Sequence, residues 1–521
     1  MRFTNSSLIR GTGLSAIIAI IAITGCAHSA PNIDGVRGEP AGPASLWPVP
    51  APARTPAPSP IPPVSPAATA ALAKDAANAS EVRMFSLGDV IDLALHNNPD
   101  TRESWELARA AASLYGASRG ALLPTVAATT NLTHTAGATT NNGTSGTGGT
   151  GTVNNTGGSV TRTLLTPTIQ LSYLLFDLGG RSGTIEAAKQ RAIAANLTHN
   201  ATVANTVLQV EANLFTYLAA KATRDAQLES VSEAEADLAA ATERQRMGVA
   251  TLQEVLQTRT ALSQARFQLA TYEGDLLGSR GNLAQAMGLS ANTRFEIPDV
   301  TASDSVGDVA ASVDTLINRA IAARPELAGL RAEAAALAAQ VRVTRSAGLP
   351  ALTLTSSTAY IGTLQSSSNN TSSNHNVSIG VGLQIPIFNG FASSYQLRAA
   401  RQQYAAGQAR VASTEQQISV QVFTSYYVLR AASERVRSSA DLLASAEQSA
   451  TVALGRYREG VGTIVDVLLA RSALATARAE AIQARWEWRT GLAQLAHDAG
   501  ALDLQGRPNI PLTADTTGTS R

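Results

Sequence analysis

The sequence predicts a mainly helical chain with a smaller share of membrane-type β structure, in which one strand-and-helix unit occurs twice. Three observations predict this fold class. Two fixed sequence offsets relate the first half of the chain to the second. Each half contains a long proline-free stretch that is typical of a long helix, such as Ser182 to Met247. Each half also contains two segments of alternating apolar and polar residues around a loop rich in glycine, serine, threonine and asparagine.

The internal repeat covers roughly residues 87–500. Pro99 corresponds to Pro325 and Pro124 to Pro350, an offset of 226 residues in both cases (325 − 99 and 350 − 124). Beyond a variable loop the offset is 212, as in the pairs Phe176/Phe388, Gly248/Gly460, Thr251/Thr463 and Gly288/Gly500. The loop is therefore 14 residues longer in the first copy (226 − 212). Because each offset holds over a long stretch, we expect two structural copies, residues 81–300 and 301–502.

The N-terminal region predicts export and lipid attachment. Residues 1–25 have the basic start of a signal peptide, and their apolar run at 14–23 is too short to cross a bilayer. Residues 23–26 resemble the lipobox of bacterial lipoproteins, in which the cysteine, here Cys26, is acylated. Ala27 is typical of such signals that sort to the outer membrane. Since Cys26 is the only cysteine in the chain, we expect it to carry lipid; an ordinary secretory signal is the alternative.

The flanking segments and the charge balance exclude several classes of function. Residues 26–80 are dense in proline, which predicts an extended tether between membrane and domain. Residues 503–521 are polar and predict a disordered tail. The net charge of +1 lacks the excess of basic residues that is typical of a nucleic-acid-binding protein. The six histidines share no metal-ligand spacing, so we expect no catalytic residues, no metal site and no cofactor.

The alternating segments predict four strands. Val377, Ile379, Val381, Leu383, Ile385 and Ile387 fall on one face of one segment, and Ile169, Leu171, Tyr173 and Leu175 on one face of another. Their partner segments lie at about 125–135 and 351–361, with loops at 137–160 and 362–376. At roughly 10 residues each, the segments match tilted membrane strands. Four strands cannot close a barrel in lipid, so the chain should oligomerise, two copies giving eight strands and three giving twelve. The edge of a soluble sandwich is the alternative.

The helices after the Gly-centred turns carry apolar heptads, namely Val255, Leu262, Leu269, Leu276 and Leu283 in copy one and Val467, Leu474, Ala481, Trp488 and Leu495 in copy two. A second periodic row is basic and comprises Arg259, Arg266, Arg471, Arg478 and Arg485. This row has two interpretations, a solvated helix face or the lining of a water-filled interior.

In both Gly-centred turns the glycine predicts the end of one helix. Thr251 and Thr463 then predict the cap of the next, with Glu254 and Asp466 completing capping boxes.

Taken together, the duplicated Gly-Val-x-Thr turns, the Asn-Pro end of the first helix, the Leu-Pro pair before each strand pair and the Phe-Asp/Asn-Gly motif after it resemble the outer membrane factor family of TolC-like channels. The resemblance covers about residues 85–500. It implies a homotrimer in which four strands per chain form a 12-stranded β-barrel, joined to a long α-helical periplasmic barrel. It also implies a duct for small molecules such as drugs, toxic compounds or metals, with no enzymatic activity.

The resemblance implies roles for residues at the turns. A periplasmic adaptor protein would dock at the tip, around Gly248, Val249, Thr251, Gly460, Val461 and Thr463. Asp466 would ring the closed aperture, and Glu254 would link to Tyr457 across the two hairpins. Two positions depart from the family pattern, because Leu469 stands where a second acidic residue is expected and Gly462 where an arginine is expected. The ring would therefore hold three carboxylates rather than six, and the closed state would be latched less tightly.

The other partners expected from the resemblance are an inner-membrane transporter, contacted indirectly through the adaptor, and the lipid of the outer membrane. The outer-membrane component of a type I protein secretion system is an alternative function. A soluble coiled-coil periplasmic adaptor is an alternative from a different class of protein, but adaptors lack two alternating strand pairs. An enzyme is disfavoured because the only nucleophile-elbow string, residues 116–120, ends a helix rather than following a strand.

Overall fold

The computed structural model describes residues 44–46, 83–139, 158–298, 307, 309–366, 373–503 and 510. The predicted signal peptide, Cys26 and almost all of the predicted tether lie outside these residues. Copy one comprises β1 (Arg83–Met84), α1 (Leu87–Asn97), α2 (Pro99–Arg119), a 3-10 turn (Gly120–Leu122), β2 (Thr125–Thr139), β3 (Gly158–Phe176), α3 (Gly180–Arg246), α4 (Leu252–Ala286) and β4 (Phe295–Glu296). Copy two comprises α5 (Val313–Ala323), α6 (Pro325–Ser346), β5 (Ala351–Ser366), β6 (Ser373–Gln384), α7 (Ala392–Arg458) and α8 (Ile464–Asp498). The predicted mainly helical fold with four strands in two pairs is confirmed.

Proline divides the first two helices of each copy at equivalent points. Pro99 and Pro325 each open a helix, where the missing N–H costs no hydrogen bond. Asn98 caps α2 by accepting a 2.8 Å hydrogen bond from the Asp100 N–H. Arg324 stands at the equivalent position and makes no such cap. Its buried guanidinium instead donates to Glu326 at 3.0 Å and to Gln421 of α7 at 2.6 Å.

The four long strands form one antiparallel sheet in the order β2-β3-β5-β6. Thr125 pairs with Ser172 in the first hairpin, and Ala351 pairs with Gln384 in the second. These pairs differ by the repeat offsets of 226 (351 − 125) and 212 (384 − 172), so both hairpins have the same register. The central pair β3 and β5 joins the two copies, which leaves β2 and β6 as the sheet edges within one chain.

The strand lengths correct the prediction from sequence. The strands contain 15, 19, 16 and 12 residues rather than roughly 10, because the ladder continues into residues that we had expected in the loops. Gly137, for example, pairs with Val160. At the other end, β6 stops at Gln384, so Ile385 and Ile387 lie beyond the strand. Pro386 explains this end, since it has no N–H for the ladder.

The exposed surface of the sheet is apolar in a regular row. Val377, Ile379, Val381 and Leu383 on edge strand β6 are all exposed, Ile379 by 77%. On the other edge strand, Val126 and Leu132 are exposed by 65% and 66%. An apolar row of this size on a sheet with open edges is typical of a surface that another phase or another chain covers. Among the described residues, no helix is both long and apolar enough to cross a membrane.

The helical half consists of two long hairpins. α3 and α7 contain 67 residues each, which is about 100 Å at 1.5 Å per residue. The predicted heptads are confirmed as buried or half-buried rows. Their buried members are Val255, Leu262 and Leu283 on α4 and Val467, Leu474, Trp488 and Leu495 on α8. Each copy has its own apolar core, one around α1, α3 and α4 and the other around α5, α7 and α8.

Three contacts add to what the sequence predicted. β1 and β4 form a short parallel pair that joins the start and the end of copy one. Ala44, within the predicted tether, packs against the core of copy one. Ile510, within the predicted tail, is buried against the core of copy two. Ala44 and Ile510 of the two flanking segments therefore lie against the helical half.

Candidate functional site

Two turns of the same geometry join the long helices. Gly248 ends the α3 side with φ 77°, and Gly460 ends the α7 side with φ 78°. The next N–H in each turn closes back on the helix, from Val249 to the Arg244 carbonyl at 2.9 Å and from Val461 to the Arg456 carbonyl at 3.0 Å. A side chain at either glycine would meet nothing within 4 Å. The positive φ alone therefore favours glycine here.

The caps after the turns differ between the copies. Thr251 and Thr463 each accept a 3.3 Å hydrogen bond from the N–H three residues on. In copy two the Asp466 carboxylate completes the box, since it accepts from the Thr463 N–H at 3.0 Å and from the Thr463 hydroxyl at 2.9 Å. The predicted box in copy one is wrong in this respect. The Glu254 carboxylate does not return to Thr251, because it has a partner on the other hairpin.

That partner is Tyr457 at the end of α7. Its hydroxyl donates a 3.1 Å hydrogen bond to Glu254 Oε2, so the link expected from the resemblance is present. The ring is 7% exposed, and the Arg244 guanidinium of α3 lies 4.6 Å from its centre. Burial, followed by the hydrogen bond to Glu254, raises the pKa of Tyr457, so the phenol stays protonated and able to donate. One tyrosine thus joins the last turn of α7 to both helices of the first hairpin.

Asp466 is exposed at the first turn of α8. Hydrogen bonds from the Thr463 N–H and hydroxyl lower the pKa of Asp466, so its carboxylate is ionised at neutral pH. Beside it Leu469 is 66% exposed, and at the two turns Val249 and Val461 are 62% and 69% exposed. The tip therefore presents apolar side chains beside the ionised carboxylate of Asp466.

A groove of about 1080 Å³ runs above the tip between α4 and α8, with α3 as its floor. Glutamine, leucine and small side chains line the groove, and Glu233, Asp237 and Arg471 are among its charged residues. The arginines of the predicted basic row have two kinds of ion-pair partner in the structure. Arg266 pairs with Glu235 inside the first hairpin, whereas Arg471 and Arg478 pair with carboxylates of α3 across the two copies. The periodicity identified the row, but it could not identify these partners.

His199 and Glu211 are buried titratable groups of α3 that lie away from the tip. His199 is fully buried, with its ring between the Ser104 hydroxyl at 2.8 Å and the Ser45 carbonyl at 3.2 Å. Glu211 is 1% exposed, and burial, together with nearby Asp503, raises its pKa to about 8. Among the described residues, no group of three or more histidine, cysteine, aspartate or glutamate side chains could hold a metal ion.

Comparisons with known proteins agree with this architecture. Protein CyaE of Bordetella pertussis is 26% identical over 431 residues, which are 82% of this chain and 85% of that protein. The outer membrane efflux protein BepC of Brucella suis is 28% identical over 253 residues, 48% of this chain and 53% of that protein. The structure of the outer membrane protein VceC from Vibrio cholerae has a TM-score of 0.66 at 18% identity, covering 81% of this chain and 96% of VceC.

The sequence profile of the outer membrane efflux protein family matches residues 90–289 and 316–501, one range in each copy. These ranges contain both long hairpins, both turns and the four-stranded sheet. The fold, its internal repeat of elements and this match lead to one conclusion: the chain belongs to the outer membrane efflux protein family.

Proposed function

We propose that the chain is the outer-membrane channel subunit of a tripartite efflux system, a passive duct for small molecules. The single observation that carries the proposal is the joining of a sheet with exposed apolar rows to helices about 100 Å long. The sheet has the surface that lipid requires, and the helices have the length to reach far into the periplasm. The family match and the relative BepC support efflux.

The proposed channel is a homotrimer. β2 and β6 are sheet edges within one chain, and an open edge is costly in lipid, where water cannot satisfy the backbone. Pairing β6 of one subunit with β2 of the next satisfies both edges. Three chains then form a closed sheet of twelve strands above twelve long helices.

The proposed partners follow from the two ends of the molecule. Cys26 carries lipid that anchors the chain in the outer membrane. At the other end, the exposed apolar residues Val249 and Val461 at the turns receive a periplasmic adaptor, together with Gly248, Thr251, Gly460 and Thr463. The adaptor connects the duct to an inner-membrane transporter. A passive duct has no energy source of its own, so the transporter supplies the energy for export.

A reconstitution experiment tests the proposal. The full chain, extracted in detergent, is expected to run as a trimer that heating converts to monomer, and to give single-channel conductance in planar bilayers. Expression with its own adaptor and transporter should restore drug resistance to a bacterium that lacks an outer-membrane efflux channel. A monomeric protein that conducts no ions would contradict the proposal.

A further inference from the structure

The helix ends next to the sheet are strongly basic. Nine arginine and lysine residues and one acidic residue, Glu186, lie in the four segments of twelve residues nearest the sheet, namely 108–119 of α2, 180–191 of α3, 335–346 of α6 and 392–403 of α7. Their net charge is +8 (9 − 1), whereas the whole chain carries +1, so the remaining residues carry −7 (1 − 8). An excess of this size, confined to about 18 Å of each helix, indicates a surface for a negatively charged partner.

Five of these basic residues are exposed and form no salt bridge within the part of the chain that the structure describes. We call these five residues the basic collar: Arg119, Lys189, Arg342, Arg345 and Arg401. Arginines nearer the tip differ in this respect, because Arg246 pairs with Glu243 and Arg266 pairs with Glu235. The charges of the collar are therefore available to a partner outside the chain.

Arg342 and Arg345 lie on a face of α6 that stays open when copies of the chain assemble. They are three residues apart, which places them on one side of the helix. α6 packs against α3 through Val343 and against α7 through Leu337, so it has a helical neighbour on each side within its own chain. In the proposed trimer, further subunits add beside α2 and α7, next to the free strands β2 and β6. They therefore leave this face of α6 open.

The internal repeat relates the other residues of the collar to one another. Arg119 of α2 is the equivalent of Arg345 of α6 (345 − 226), and Lys189 of α3 is the equivalent of Arg401 of α7 (401 − 212). Equivalent residues occupy the same position on equivalent helices. The collar thus extends over four neighbouring helices.

A contact of α6 with α5 shows which side of the proposed duct the collar faces. Arg331 precedes Arg342 by eleven residues, about three turns of helix, so both lie on the same face of α6. Arg331 donates a 3.4 Å hydrogen bond to the Ile321 carbonyl of α5, and α5 belongs to the packed core of copy two. A packed core on the inner side would block the duct. The face that carries Arg342 and Arg345 is therefore the outer one.

We propose that the basic collar binds the phosphate groups of anionic phospholipids in the inner leaflet of the outer membrane. This inference rests on the proposed channel function. Arg345 and Arg342 are one and four residues from the end of α6 at Ser346, about 2 and 6 Å along the helix. The headgroup layer beside the hydrocarbon core is about 5–8 Å thick, so both side chains reach it. A single acyl chain anchors a protein only weakly, and basic residues beside anionic lipid strengthen the attachment.

The test measures lipid binding to the full-length chain, extracted in detergent and freed of copurified phospholipid. Phosphatidylglycerol is titrated onto the chain, and native mass spectrometry counts the lipid molecules retained. The zwitterionic phosphatidylcholine is the reference lipid and should bind more weakly. In Arg342→Gln/Arg345→Gln, we expect the affinity for phosphatidylglycerol to fall about 25-fold. Each basic residue near anionic lipid contributes about five-fold, equivalent to about 1 kcal/mol.

The matched control is Arg191→Gln/Arg410→Gln, which also removes two exposed arginines from α3 and α7. Arg191 is two residues from Lys189, and Arg410 is nine residues from Arg401, which turns each control residue about half a helical turn away from the collar. The affinity of this control for phosphatidylglycerol should stay close to that of the native chain.

Salt and the reference lipid provide further outcomes. Raising the ionic strength from about 0.1 to about 1 M shortens the screening length from about 10 to about 3 Å, so the native chain should bind phosphatidylglycerol more weakly. Equal affinity of the native chain for the two lipids would overturn the collar while leaving the channel in place, and so would equal losses in the two double variants. A native chain without conductance would overturn the proposed function and the collar with it.

Discussion

The two turns at the tip have the same backbone and different side-chain connections. Gly248 and Gly460 adopt the same φ within 1°, and a threonine caps the following helix in both copies. In copy two the acidic residue after the turn, Asp466, closes the capping box of its own helix. In copy one the equivalent Glu254 bonds to the other hairpin. The repeat therefore preserves the turn and changes what the turn is connected to.

The reason for the difference lies in the partner as well as in the acid. Tyr457 of copy two corresponds to Gln245 of copy one (457 − 212). Only the tyrosine reaches across to the acid of the other copy, and its ring also receives Arg244. A duplicated unit can thus acquire an asymmetric connection through one or two side chains, while the helices and turns remain equivalent.

The largest expected effect concerns the glycines that end α4 and α8. Gly288 and Gly500 have φ of 70° and 65°, but a Cβ at Gly288 would lie 2.7 Å from the Asn97 carbonyl oxygen, and one at Gly500 would lie 3.1 Å from Ala323 Cβ. Gly500→Ala should cost about 1–2 kcal/mol for the left-handed backbone. Gly288→Ala should cost about 3–4 kcal/mol, because the backbone must also move. Thermal unfolding of both variants checks this, and equal losses would refute the difference.

The next effect concerns Glu211 of copy one, which corresponds to the half-exposed Phe423 of copy two (211 + 212). A pKa raised to about 8 from 4.5 means that the folded chain keeps a proton that the unfolded chain loses. Stability contributed by this group should therefore fall as pH rises between these values, by about 1.4 kcal/mol per pH unit at most.

Glu211→Gln removes the titration. Its melting temperature should match that of the native chain at pH 4 and exceed it at pH 9. The control is Phe423→Leu, which alters the equivalent residue of copy two and should leave the pH dependence unchanged. Parallel pH profiles of Glu211→Gln and the native chain would contradict the assignment of this proton to Glu211.

The smallest effect concerns the caps. Thr463→Ala removes an acceptor for the Asp466 N–H and a donor to the Asp466 carboxylate, whereas Thr251→Ala removes only an acceptor. We expect losses of about 1–2 kcal/mol and about 0.5–1 kcal/mol respectively. Chemical unfolding of the two variants measures this difference, and a larger loss for Thr251→Ala would show that the box in copy two contributes little.

Much of this fold could be predicted from the sequence, because constant offsets between equivalent residues reveal the internal repeat. Some features depend only on neighbouring residues and can therefore be predicted from the sequence. They are the helix starts at Pro99 and Pro325, the glycine-centred turns and the apolar heptads. The link between Glu254 and Tyr457 was expected only through the family resemblance, which supplied long-range information that spacing lacks.

The features that the sequence did not predict depend on contacts between distant segments. The pair β1–β4 has only two residues per strand, too few for a periodic signal. The partners of Arg471 and Arg478 lie more than 200 residues away, so only the packing of α8 on α3 reveals them. The strand ends were wrong because threonine and glycine continue the ladder where composition indicated a loop.

We propose that the two turns of the tip have separate roles, in which Tyr457 and Glu254 latch the hairpins and Asp466 sets the charge of the aperture. Single-channel recording of Tyr457→Phe and Asp466→Asn tests it most directly. Tyr457→Phe removes the hydrogen bond without changing any charge, so the open fraction should rise and cation selectivity should stay the same. Asp466→Asn should lower cation selectivity and leave the open fraction unchanged. If both variants changed the same property, the division of roles between the two copies would be contradicted.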